Sequence, residues 1–184
     1  MDSRAPELPA WLGEQLLGRR LVQVVGELDD AVALRVSAEL MTLDATGSDP
    51  IDLHFASSGD RLESALTIVD TLDLLEAPTR AHAVGDVSGA AVAVFAACRL
   101  RTAAAHAGFQ MREPRATFAG DAEAALAWSE RQTRAIQRFR ERLAAATGQS
   151  VDTIAQDLRR GRYLETNAAL AYGLLTASEA RPRP

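Results

Sequence analysis

Any chemistry in this chain has to come from a short roster of side chains. Ser88 stands in the run Gly85-Asp86-Val87-Ser88-Gly89, which directly precedes the apolar stretch AAVAVFAAC. A hydroxyl at such a turn is a nucleophile only when a base stands within hydrogen-bond reach. Without one it is a turn or N-cap serine. The three histidines, His54, His82 and His106, are scattered with no ligand spacing. Cys98 is the sole cysteine, which excludes an intrachain disulfide or a cysteine metal site and leaves a small core residue. No metal and no cofactor are expected. All 20 basic residues are Arg, and the net charge is -5, so a nucleic-acid surface is not expected.

These side chains need a scaffold. A chain of 184 residues, 47% hydrophobic and 24% charged, is one domain's worth of an ordinary globular protein. Residues 1–17, with Leu8, Trp11 and Leu12 among prolines, read as an N-terminal arm with an apolar contact or as a frayed end. Residues 18–178 form the domain, and 179–184 a C-terminal tail. The opening residues lack the basic start and apolar core of a signal peptide, and no apolar run is long enough to span a membrane. A cytoplasmic protein is expected.

Apolar, β-branched runs predict strands at Leu21–Val25, Ile51–Phe55 and Thr79–Val84, with a further strand at Phe109–Met111 and a short one from Tyr163. Between them lie helical spacings over 31–44, Leu62–Leu75 and 90–98, the first capped by Asp29 or Asp30. Ser57-Ser58-Gly59-Asp60 and Gly85–Gly89 read as turns. Strand and helix in strict alternation mean a parallel sheet with crossover helices. The all-apolar helix after Gly89 must be buried on every side, and the turn before it is where α/β folds place reactive groups. A last long helix spans about 121–146, roughly 38 Å at the α-helical rise, with a further helix at 151–158.

Order and wording together resemble a known family. VVGELDDAVALRVSAELMTLDA (24–45), FASSGDRLESALTIVDTL (55–72), VGDVSGAAVAVFAAC (84–98), FQMREP (109–114), and ATGQSVDTIAQDL with YLETNAALAYGLL (146–158, 163–175) are similar to the proteolytic subunits of Clp proteases (ClpP-like, peptidase S14). The resemblance covers nearly all of the chain after residue 18. It implies an α/β spiral of βαβ units, shared with crotonase-like folds, from which the long "handle" helix protrudes. It also implies a heptamer-like ring.

The family cleaves peptides with a Ser-His-Asp triad, whose members attack, carry the proton and orient the base. Carried over by position, the nucleophile falls on Gly89, the base on Arg112 and the orienting acid on Gly161. Gly89 has no side chain, and an arginine does not deprotonate near neutral pH. The oxyanion-hole positions fall on Gly59, Asp60 and Ala90, with a carboxylate where the family has glycine. Such a charge raises the barrier that the hole should lower. The resemblance therefore implies a degenerate, non-catalytic subunit, acting in structure, gating or regulation.

Two positions facing one pocket, Asp60 and Arg112, would pair and lock it. Trp128, Ile136 and Phe139 on the handle would pack on another subunit, in a homo-oligomer or with active Clp proteolytic subunits. Asp52 and His54 fall where the family presents an apolar dock, so direct docking of a Clp ATPase is not expected. Two other readings stand beside this one: an active serine endopeptidase using Ser88, and a crotonase-like module that binds an acyl-thioester at the Ala90 turn.

Overall fold

The structure, a computed structural model, describes residues 9–176. The expected tail 179–184 and the first eight residues of the expected arm lie outside the described residues. The remainder of the arm is a helix, α1 (Ala10–Gly18), packed on β1 (Leu21–Glu27) with Trp11 61% exposed. Next come α2 (Asp30–Thr46), β2 (Ile51–Gly59), α3 (Leu62–Leu74), β3 (Thr79–Gly89) and α4 (Ala91–Ala97). Asp29 caps α2, its side chain accepting from the Val32 N–H at 2.9 Å.

The expected parallel sheet is present. β1, β2 and β3 pair in parallel, and β3 then serves two partners. Its first half pairs β4 (Leu100–Ala103) and its end pairs β5 (Gly108–Met111), both in parallel, so the sheet turns along β3. β6 (Arg162–Glu165) closes the edge antiparallel to β5. Alternate residues of β2 point into the core, and Phe55, Phe95 and Phe109 meet there at ring separations of 5.3 and 5.0 Å. All of α4 through Ala96 is buried, as its lack of a polar face requires.

Two expected turns are corrected. Ser57-Ser58-Gly59 and Gly85–Gly89 continue their strands, pairing Ser57 with Val87 and Gly59 with Gly89 after a register shift. The pairing partner, 30 residues away in Gly59↔Gly89, overrides the local turn preference of Ser and Gly. β4 has no counterpart among the expected strands.

The long helix is α5 (Ala122–Thr147), 26 residues. None of its first ten residues is buried, and the core-facing positions begin at Gln132. The N-terminal turns therefore contribute no buried residue to the core. α6 (Val151–Arg160), capped by Ser150, and α7 (Thr166–Tyr172) complete the chain. Among the described residues no helix is long and apolar enough to cross a membrane.

Candidate functional site

The strand continuations decide the site. Because β2 and β3 stay paired to their ends, the backbone of Gly59 lies directly against that of Gly89. Gly89 adopts φ +62°, a left-handed conformation that glycine tolerates at no steric cost. A Cβ built there would stand 2.3 Å from the Gly59 carbonyl oxygen and 3.2 Å from Asp60 Oδ1. The same carbonyl accepts a 2.8 Å hydrogen bond from the Ala90 N–H. That N–H is thus already satisfied and is not offered to a ligand.

Asp60 follows at the end of β2, and Arg112 follows β5. Arg112 Nη1 donates to Asp60 Oδ2 at 2.7 Å, with both side chains about two-thirds buried (29% and 32% exposed). The other carboxylate oxygen, Asp60 Oδ1, is buried with no partner. Gly59, Asp60, Gly89, Ala90 and Arg112 are therefore brought together. Gly161 is the left-handed C-cap of α6 (φ +67°) and shares with Arg112 a cleft of about 720 Å³. No atom lies within 4 Å of a Cβ built on Gly161.

Ser88 lies on β3 between Ser58 and Gln110, one on each neighbouring strand. No histidine stands opposite it. His82 is on the same strand six residues earlier, about 20 Å away, and His106 lies in the turn before β5. His82 Nδ1 instead meets Thr102 Oγ1 at 2.9 Å. The arrangement offers Ser88 no base.

The handle residues divide. Phe139 is fully buried in this chain's own core, so its assignment as a contact for another chain is corrected: half of α5 is needed to cover α4 and α6. Ile136 is half-buried against the same core. Trp128 alone lies in the first turns of α5, half-buried and stacked on Phe118 at 5.4 Å, where it lines a cleft with Leu66 and Asp70 of α3. On the outer sheet face Asp52 is bound bidentately by Arg80, both bonds 2.7 Å, and His54 stands edge-on to His82 at 5.8 Å. Gln23, His54, His82 and Thr102 thus form one polar row across four strands.

Sequence reasoning missed Arg101 and Asp157. Asp157 is buried and accepts from Tyr172 Oη (2.8 Å) and Arg162 (2.9 Å). Burial and then this bond push the Tyr172 hydroxyl well above its ordinary range. Among the described residues no cluster of three or more His, Cys, Asp or Glu could hold a metal.

Residues 10–177 match the family described as Clp protease. The chain is 31% identical over 169 residues to the ATP-dependent Clp protease proteolytic subunit 2 of Gluconobacter oxydans, covering 88% of this chain and 74% of that protein. It is likewise 31% identical over 169 residues to subunit 3 of Rhodococcus jostii, covering 89% and 83%. A solved structure of a ClpP1 mutant from Listeria monocytogenes superimposes with a TM-score of 0.80 at 25% identity, over 91% of this chain and 95% of that one.

Proposed function

The chain belongs to the Clp protease family, and we propose that within it this is a subunit that keeps the scaffold and has given up the peptidase chemistry. One observation carries the reading. The Gly59 carbonyl occupies the space a side chain at Gly89 would need and also accepts the Ala90 N–H. Nucleophile position and oxyanion donor are blocked by a single atom. Arg112, at the place of the general base, is a cation held by Asp60 rather than a group that can take a proton. With Gly161 at the orienting position, no member of the triad remains, and triad members act as a unit.

Clp protease subunits form oligomeric rings with other Clp subunits, and the proposed role is a place in such a ring, of like chains or together with active subunits, in the cytoplasm. Support comes from the start of α5, where Leu126 is 70% exposed. The polar row on the outer sheet face supports the further statement that a Clp ATPase does not dock on this subunit directly. The engaged Ala90 N–H speaks equally against an acyl-thioester site.

The test is a fluorophosphonate probe and a fluorogenic peptide on the purified protein, alone and mixed with an active Clp proteolytic subunit, with native mass measured in parallel. Alone, no labelling and no turnover are expected; in the mixture only the active subunit is labelled, and the native mass shows an assembly larger than one chain. Labelling that disappears in Ser88→Ala would overturn the reading.

A further inference from the structure

His54 and His82 are scattered in sequence and adjacent in space. Parallel register sets them directly opposite each other on β2 and β3. Both are half-buried on the outer sheet face, and their rings stand 5.8 Å apart, centre to centre, at an interplanar angle of 62°. No interval along the chain announces this pair, because strand register joins it. Two imidazoles that share one ion, each nitrogen about 2.0–2.1 Å from it, have ring centres roughly 5–6 Å apart. The observed separation therefore already falls where a shared ion would put it.

The tautomer of His82 points the same way. Thr102 Oγ1 lies 2.9 Å from His82 Nδ1 and 3.3 Å from the Ala81 carbonyl oxygen. A carbonyl only accepts, so the single hydroxyl proton goes to Ala81, and the Nδ1–H of His82 donates to Thr102. The lone pair of the ring is then on Nε2, the nitrogen that a metal takes. A hydrogen-bonded partner on the other nitrogen is the usual companion of a metal-binding histidine, since it fixes the tautomer and the ring orientation. The neighbouring row adds no unpaired positive charge, because Arg80 is bound bidentately by Asp52, both bonds 2.7 Å. Strands rather than loops carry these residues, so the donors are held rigidly.

We propose that His54 and His82 form a two-nitrogen site for a borderline divalent ion such as Zn²⁺ or Ni²⁺, with water completing the shell. Imidazole pairs select these ions over Mg²⁺ and Ca²⁺, which take oxygen donors. Two protein donors are fewer than a closed structural site uses, so the ion exchanges with solution and is not needed for folding. The pair lies about 20 Å along β3 from Ser88. The proposal therefore stands or falls apart from the lost peptidase chemistry.

Metal titration of the tag-free full chain, first stripped with chelator, tests it by calorimetry and by the electron paramagnetic resonance of bound Cu²⁺. Zn²⁺ and Ni²⁺ bind saturably and Mg²⁺ does not, and the Cu²⁺ spectrum shows two imidazole nitrogens. His54→Ala and His82→Ala each weaken Zn²⁺ binding about tenfold or more, whereas His106→Ala, in the exposed turn before β5, leaves it unchanged. Thr102→Val, which keeps both rings, weakens it about tenfold by removing the acceptor for Nδ1–H. The Cu²⁺ spectrum needs no variant, so it decides the matter even where a substitution unfolds the chain. No saturable Zn²⁺ binding, a spectrum with one nitrogen or none, or undiminished binding by either of the first two variants would overturn the proposal.

Discussion

Arg101 and Arg112 are both withdrawn from water, and they are held by opposite means. Arg101 is 8% exposed and, among the described residues, pairs with no carboxylate. Its guanidinium donates to the carbonyls of Cys98 (3.0 Å), Ala146 (2.9 Å) and Leu174 (2.8 Å), with longer bonds to Ala96 and Gly173. Those carbonyls belong to the C-terminal ends of α4, α5 and α7. Three negative dipole ends thus converge on one cation and replace a counter-ion. Arg112, by contrast, has one carboxylate, which is itself only half satisfied. The first arrangement ties three helices together through many weak acceptors. The second joins two strand ends through one pair, and can be released without disturbing the rest.

The largest effect should come from Arg101. Arg101→Met leaves helix-end carbonyls buried without donors, each costing about 1–3 kcal/mol, and we expect a loss of about 3–5 kcal/mol in urea unfolding. Arg101→Lys should rescue little, because three ammonium donors cannot span acceptors arranged for a planar fork. Tolerance of either change would mean the helix ends find other donors, and the comparison would collapse.

Second in size is the attempt to rebuild a nucleophile. Gly89→Ser places a Cβ at φ +62° against backbone rather than a movable side chain. The expected penalty is about 1–3 kcal/mol in thermal or urea unfolding, with no peptide turnover. Gly161→Asp, also at positive φ but with open space around it, should cost about 1 kcal/mol or less, as Asp is among the residues that tolerate this conformation. Even Gly89→Ser/Arg112→His/Gly161→Asp should remain inactive until the end of β2 moves. Turnover by that triple variant would show that the Gly59 carbonyl yields easily.

A smaller effect measures the second arginine itself. In a double-mutant cycle of Asp60→Asn and Arg112→Gln, the coupling should be about 1 kcal/mol, reduced by salt because both side chains reach solvent. No coupling would mean that the pair contributes nothing to keeping the site closed.

How far the sequence reveals these two regions depends on where their partners lie. Alternating apolar runs make β1, β2 and β3 legible, and the resemblance puts Asp60 and Arg112 in one pocket although 52 residues separate them. The blocked Ala90 N–H is not legible, because its partner is a backbone carbonyl and no side chain marks it. Arg101 is hidden for a related reason. Leu100–Ala103 is short, and an arginine at its second position reads as surface, whereas its acceptors come from stretches up to 73 residues away. Phe139 is legible as apolar and not as inward-facing, since helical spacing alone does not say which neighbour covers it.

The smallest effect tests how dry the Arg101 region is. Cys98, three residues away, is buried, and burial pushes its thiol from 9.0 up to about 12 against the opposing hydrogen bond from Thr79 and the charge of Arg101. A cation close by would be expected to draw out a thiolate, yet Arg101 is spent on carbonyls and burial wins. A group whose pKa is raised by folding stabilises fully below its unfolded value and loses that contribution as pH climbs through the folded one. Stability should therefore fall between pH 9.0 and about 12, with Tyr172, also raised, adding to the decline. In Cys98→Ala the fall should be shallower over the same window, measured by urea unfolding at several alkaline pH values. Ellman's reagent should leave the folded wild type unlabelled at neutral pH. Rapid labelling there, or an unchanged alkaline slope in the variant, would mean that water reaches Arg101 and that the two arginines differ less than their surroundings suggest.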